Sequence, residues 1–221
     1  HETIKKGMDE LSDGKVVLFG VAPNRAETGY GYLECTEIIA GCAAEIKSFI
    51  EKPDIESAQE MFVSGRFLWN AGIFLFRAKD ILQLYKEHEP ELVDLVYEAV
   101  GRARVDLGFF KLDAKAWEKL PDVSIDYAIM EKAKNLVALP FSDGWSDLGD
   151  WNSVWQEQNV GDSGVVTSNN ATAVDCRDCL IRSENDSQHI VALGLQNVVA
   201  IAMNDAVLVA DKSRSQEIKD V

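Results

Sequence analysis

The sequence has 221 residues, 47% hydrophobic and 27% charged, which excludes a disordered chain and fits one sizeable domain with a smaller appendage. Lys and Arg number 22 against 37 Asp and Glu; the resulting formal charge of −15 repels polyanions at long range, so nucleic acid is not expected as a partner. No apolar run approaches the roughly twenty residues that cross a bilayer, and no membrane association is expected. The chain opens on His1 without a signal-peptide pattern and reads as cut from a longer polypeptide. Four cysteines, Cys35, Cys42, Cys176 and Cys179, are too few for a disulfide scaffold and point to a reducing cytoplasm. The lone CxxC of Cys176 and Cys179 reads as partly buried free thiols on strands in preference to a zinc site.

In chain order, the apolar run 16–21 and the aromatic, β-branched stretch 29–39 predict strands. Residues 43–50 alternate as a third strand, after which Asp54 is placed to cap a helix through Ile55, Ala58, Met61 and Phe62. A strand is expected over 72–76, and two helices over 79–100, broken near Pro90. Ile125, Ile129 and Ala133 at helical spacing behind Ser124 predict a helix over 124–134, followed by a strand over 137–141. A helix over 148–158 puts Trp151 and Trp155 on one face. The interleaving predicts an α/β fold with its sheet covered on both faces. From about 164 the texture changes to short strands, 164–167, 171–174, 179–182, 189–193, 197–203 and 206–210, separated by Asn, Asp, Gly or Ser turns. A domain boundary is therefore expected near residue 160, between 1–160 and an all-β segment 161–221. A β-helix of stacked rungs is one candidate for that segment, although no strict repeat is visible.

Three clusters put polar residues among glycines and aromatics at strand ends, where open α/β sheets bind ligands. In residues 28–34 two glycines let backbone approach a ligand and the tyrosines offer hydroxyls, or the segment is simply a twisted strand. Glu51 and Lys52 stand side by side before Pro53. On extended chain they point to opposite sides and form no mutual ion pair, leaving the carboxylate for sugar hydroxyls and the ammonium for a phosphate; two solvated surface charges are the competing reading. In residues 144–151 an Asp can serve a hard divalent cation, or Asp147 or Asp150 caps the next helix.

Taken together, the segments GYGYLE (29–34), FIEKP (49–53), WNAGIF (69–74), SIDYAIMEKA (124–133) and GWSDLGDW (144–151) resemble those of bacterial mannose-1-phosphate guanylyltransferases, including the type fused to a phosphomannose isomerase. FIEKP and the Gly-Tyr-Gly segment speak for sugar nucleotidyltransferases in general, the others for the mannose type. The resemblance implies a Rossmann-like nucleotidyltransferase domain lacking its N-terminal strands, followed by the small all-β segment. It implies that Gly31 contacts the sugar, Glu51 binds sugar hydroxyls, Lys52 binds the sugar phosphate, Asn70 and Gly72 lie at the sugar pocket, and Asp147 ligates Mg²⁺. Asp147 and Lys52 are the catalytic candidates, and the substrates implied are mannose 1-phosphate and GTP. Family members also carry a glycine-rich, Arg-containing nucleotide loop and a further metal-binding aspartate, neither of which lies in these 221 residues. The fragment alone is therefore expected to be inactive. An isomerase domain downstream and a homo-oligomer stay open. His1, His88 and His189 are scattered with no metal-ligand spacing. The rival reading is a non-catalytic sugar-phosphate-binding or regulatory subunit, and a related hexose-1-phosphate nucleotidyltransferase is the nearest enzymatic alternative.

Overall fold

The computed structural model describes residues 2–11, 14–142, 144–158 and 161–220, so the expected boundary at residue 160, like His1, lies outside the described residues. Two compact units divide between Trp145 and Ser146.

In the first unit, β1 (Val16–Val21), β2 (Gly31–Cys35), β3 (Ala44–Glu51), β4 (Phe67–Leu75) and β7 (Leu136–Pro140) pair in the ring order β1-β4-β2-β3-β7. Only β1 and β7 run parallel; the pairs β1–β4, β2–β3, β2–β4 and β3–β7 are antiparallel. The expected strand 72–76 is the second half of β4, whose earlier residues carry the pairing with β2. β1 and β7 are apolar without alternation because both their faces are buried. Val16, Leu18, Leu136 and Ala138 join one core cluster with Leu33, Ile46 and Leu68, while Val17, Phe19, Val137 and Leu139 join a second.

The first cluster is covered by Ile81 and Leu84 of α3 (Ala78–His88) and by Ala128, Ile129 and Met130. The second is approached by α1 (Glu2–Asp9), whose Gly7 packs against Leu75 and Phe19. α2 (Ile55–Ser64) starts where Asp54 accepts from the Ser57 N–H at 2.8 Å and stops at the left-handed Gly65, satisfying both helix ends. Pro90 opens α4 (Pro90–Gly101), where its missing N–H costs nothing. An exposed hairpin, β5 (Arg104–Asp106) and β6 (Phe109–Lys111), and the short α5 (Ala114–Trp117) follow; neither was expected.

The helix expected over 124–134 is a π-helix, Asp126–Met130. Its register closes with the Glu131 N–H on the Asp126 carbonyl at 3.0 Å, so the 3.6-residue period does not hold there.

In the second unit, α6 (Trp151–Glu157) is capped by Asp150, whose Oδ1 accepts from the Ser153 N–H at 2.7 Å. Trp151, Val154 and Trp155 all pack on Val166, Leu180, Val199 and Ile201, which is why the helix belongs with the β unit. That unit stacks parallel strands in two faces: β8 (Val166–Thr167), β10 (Leu180–Ser183) and β12 (Val198–Ala202) on one, β9 (Ala171–Val174) and β11 (Ile190–Leu193) on the other. Val166, Leu180 and Val199 lie in register up the stack. β13 (Val207–Asp211) turns antiparallel on β12, and a 3₁₀ segment, Lys212–Asp220, follows, with the Lys212 Nζ over the Trp155 ring at 2.8 Å. These are the rungs of a β-helix, with left-handed corners at Gly164, Asp178 and Asn197. Among the described residues no helix is long and apolar enough to cross a membrane.

Candidate functional site

The antiparallel register of β2 and β3 sets Gly31 opposite Glu51, and the bulged pairing of β1 with β4 brings Asn70 opposite Gly20. Three of the residues singled out from the sequence, Gly31, Glu51 and Asn70, thereby meet near the carboxyl ends of β1 and β3. A Cβ on Gly31 would lie 2.5 Å from Glu51 Oε2, 3.2 Å from Phe49 Cζ and 3.3 Å from Asn70 Cβ. Only a residue without a side chain leaves the Glu51 carboxylate where it is. Gly31→Ala should therefore swing Glu51 aside, lowering affinity for any ligand Glu51 holds by about tenfold or more, at a stability cost of about 1–3 kcal/mol. Calorimetric titration and a thermal melt check the two halves; unchanged affinity would separate Gly31 from the site.

Glu51 is the least comfortable group in the unit. Its side chain is 11% exposed, and its Oε2 is buried without a hydrogen-bond partner. Burial, and then the nearby Asp126 carboxylate, push its carboxyl above the ordinary range; Lys52 pulls the other way, and Glu131 adds a smaller push upward. A buried acceptor without a partner costs about 1–3 kcal/mol, which a ligand hydroxyl would relieve.

The structure corrects the expectation that Glu51 and Lys52 face opposite sides. Lys52 is left-handed, with φ 49°, and its N–H donates to the Tyr30 carbonyl at 3.2 Å. The alternation of extended chain is broken there, and the Lys52 Nζ comes to 3.4 Å from Glu51 Oε1. Lys52 stays mostly in solvent, with 59% of its side chain exposed. The result is a half-buried carboxylate with an ammonium at its open end.

Asn70 is held at both ends of its amide. Its Nδ2–H donates to Asp126 Oδ1 at 3.3 Å, and its Oδ1 accepts from the Gly72 N–H at 3.1 Å. Gly72, at φ 68°, lies within β4 at the irregularity of its pairing with β1 and makes the second bond possible. The Glu51 N–H in turn donates to Glu131 Oε1 at 3.2 Å. Asp126 and Glu131 were not among the residues singled out from the sequence: read at a helical period, acids five apart diverge and give no common signal.

The Tyr32 hydroxyl is not offered to a ligand as the sequence suggested. Tyr32 is fully buried, donating its O–H to the Glu27 carbonyl and accepting from the Glu27 N–H, both at 3.0 Å. Tyr30 packs edge-on against Trp69 and Trp145, with ring centroids 5.1 and 5.5 Å apart. Arg25 lies 5.2 Å above Trp69 and is tied back to Glu27 Oε2 at 3.1 Å, so this corner supports the backbone of the Gly31 loop.

Asp147 belongs to the second unit and is exposed. Its carbonyl accepts from the Gly149 N–H at 2.6 Å, while the capping of α6 falls to Asp150. The Asp147 carboxylate is thus not spent on the helix, and its chemistry suits Mg²⁺ held by one protein carboxylate with phosphates and water completing the shell. Among the described residues no three acids, cysteines or histidines gather into an all-protein metal site.

A mixed α/β unit with a Glu-Lys pair and a glycine at its strand ends, followed by a stacked-rung β unit, defines a nucleotidyltransferase domain joined to a β-helix domain. Residues 1–162 match the family model described as Nucleotidyl transferase, and the chain belongs to that family. Residues 169–221 match the MannoseP isomerase/GMP-like beta-helix domain. The chain is similar to the mannose-1-phosphate guanylyltransferase RfbM of Salmonella typhimurium, at 39% identity over 100% of this chain and 46% of that protein. It is similar to the alginate biosynthesis protein AlgA of Pseudomonas aeruginosa, at 36% identity over 94% of this chain and 43% of that protein. A crystal structure described as a mannose-1-phosphate geranyltransferase from Thermus thermophilus superposes with TM-score 0.80 at 26% identity, over 99% of this chain and 62% of that one. The chain spans about half the length of the curated relatives it matches.

Proposed function

We propose that the chain carries the sugar-phosphate half of a mannose-1-phosphate guanylyltransferase, which forms GDP-mannose and pyrophosphate from mannose 1-phosphate and GTP. The observation that carries this reading is the buried, unpartnered Glu51 Oε2 beside the exposed Lys52 ammonium, with Gly31 packed so closely on the carboxylate that no side chain fits between them. A ligand that satisfies this site has hydroxyls at one end and a dianion at the other, which is what a hexose 1-phosphate presents. The likeness to mannose-1-phosphate guanylyltransferases selects the mannose ester and GTP. The free thiols fit a reducing cytoplasm.

Glu51 accepts from sugar hydroxyls, the Asn70 amide orients the ring from the β4 side, and Lys52 meets the phosphate as a point charge. So held, a phosphate oxygen of the sugar ester bonds to the α-phosphorus of GTP as the bond from that phosphorus to the bridging oxygen breaks and pyrophosphate leaves. No covalent enzyme intermediate is required, because positioning and charge neutralisation suffice. Asp147 would hold Mg²⁺, which when bound offsets the charge of the nucleotide phosphates.

Titration calorimetry tests the reading. The protein should bind mannose 1-phosphate at least about tenfold more tightly than inorganic phosphate, which fills only one end of the site. Equal affinity for inorganic phosphate would reduce the site to a phosphate-binding surface. Release of pyrophosphate from mannose 1-phosphate with GTP, measured on a polypeptide that includes the nucleotide loop, then separates an enzyme from a binding subunit.

A further inference from the structure

Asp126 and Glu131 bracket one π-turn, and both reach into the site through other residues, Asp126 to the Asn70 side chain and Glu131 to the Glu51 backbone. In an α-helix, residues five apart point away from each other, because 3.6 residues make a turn. In the π-turn the Glu131 N–H bonds to the Asp126 carbonyl at 3.0 Å, which stacks the two acids on nearly the same side. We infer that this π-turn is the positioning device of the site. Asp126 fixes which way the Asn70 amide faces, and Glu131 fixes the backbone from which Glu51 and Lys52 project. The inference rests on the sugar-phosphate reading for its purpose, but not for its geometry.

The Asn70 amide is where the position of the turn reaches the ligand. Its carbonyl oxygen accepts from the Gly72 N–H, and one Nδ2–H is taken by Asp126, so the orientation of the amide is set and its second N–H is left for a ligand. Without the acceptor at Asp126 only one bond holds the amide, and the side chain is free to rotate. The turn is also anchored: Ala128, Ile129 and Met130 are fully buried in the first core cluster, so the acids cannot drift with solvent. A surface turn with the same sequence would not transmit position in this way. Asp126 is half-buried, and its charge, after burial, helps push the Tyr85 hydroxyl of α3 above its ordinary range.

The test compares Asp126→Ala, which removes the acceptor, with Asp126→Asn, which keeps an acceptor oxygen and removes the charge. In the ligand-free, ¹⁵N-labelled protein, the Asn70 side-chain N–H signals should be displaced from the free-amide positions. They should return to those positions in Asp126→Ala and stay displaced in Asp126→Asn. Mannose 1-phosphate affinity should fall about tenfold in Asp126→Ala and no more than about threefold in Asp126→Asn. If both variants melt lower by the same amount and leave the Asn70 signals alone, Asp126 is structural and the inference is overturned. If Asp126→Ala does not fold, Glu131→Gln against Glu131→Ala gives the same comparison, read on the Glu51 backbone N–H; no difference between that pair also overturns it. Should the wild-type protein not bind mannose 1-phosphate while the Asn70 signals behave as stated, the functional reading fails and the positioning device stands.

Discussion

Glu51→Gln is expected to make the protein more stable and its sugar-phosphate site worse, two effects of opposite sign from one atom. Above its titration window Glu51 is a buried charge facing Asp126 and Glu131, relieved only by Lys52 from the solvent side. Its carboxyl is raised above 4.5, so burial and like charge outweigh the ammonium. In the folded state Glu51 holds its proton to higher pH than in the unfolded chain. Stability therefore falls as pH rises from about 4.5 through the folded value, and the penalty is fully present above it. A neutral glutamine escapes the penalty. At neutral pH the variant should gain about 1 kcal/mol, seen as a melting temperature about 2–4 °C higher. The lost ion pair with the exposed Lys52 takes back little, since such pairs are worth about 0–1 kcal/mol. On acidification below pH 4.5 the two melting curves should converge, because both side chains are then neutral. Mannose 1-phosphate affinity should meanwhile fall about tenfold or more, as charge-assisted acceptance from hydroxyls becomes ordinary hydrogen bonding. A variant that melts lower at neutral pH would mean that Glu51 is a structural anchor. Natural proteins accept such strain where the group has work to do.

How much of this could be read beforehand depends on whether the determining interactions were local. Asp54 before α2 and Pro90 at the start of α4 were legible because a cap and a missing donor act within a few residues. The apolar runs of β1 and β7 were legible because burial on both faces leaves no polar position. The ring order and its antiparallel majority were not, since pairing β4 between β1 and β2 is set by packing across the chain. The rungs of the second unit escaped a repeat search because the corners at 164, 178 and 197 are unequally spaced, the Asn185–Gln188 loop being inserted in one rung. In the site, Gly31, Glu51, Lys52 and Asn70 were all named from sequence and are brought together, but two rules of thumb failed. Alternation assumed an extended Lys52, and a left-handed residue joined it to Glu51. Helical periodicity assumed an α-turn at 126–130, and the π-turn hid Asp126 and Glu131. Both failures are local departures from regular backbone, and both lie at the site, where such departures concentrate.

Lys52→Ala should abolish most sugar-phosphate binding while leaving the fold nearly as stable as before. The ammonium is 59% exposed and 3.4 Å from Glu51 Oε1, an ion pair screened by water and worth about 0–1 kcal/mol to stability. Against a phosphate dianion the same group makes a charge-assisted contact worth about 1.5–3 kcal/mol, or about ten- to a hundredfold in affinity. The difference between these magnitudes lets one substitution tell a ligand residue from a surface charge. Backbone does not confuse the result: at φ 49° alanine carries much the same left-handed strain as lysine, so the Lys52→Ala melting temperature should move little. Lys52→Gly provides the control. It should lose binding equally but gain up to about 1 kcal/mol in stability where the left-handed strain is released. Lys52→Arg keeps the charge but replaces a point donor by a planar fork, and should recover only part of the affinity. Losing Lys52 also removes the one neighbour that lowers the Glu51 carboxyl, so the pH at which stability falls should move upward in the alanine variant. GTP affinity, measured on a polypeptide that includes the nucleotide loop, should stay unchanged in all three. If alanine and glycine variants bind mannose 1-phosphate as the wild type does, the phosphate is held elsewhere; if GTP binding falls in parallel, Lys52 serves the nucleotide, and the division of the site between sugar ester and nucleotide must be redrawn.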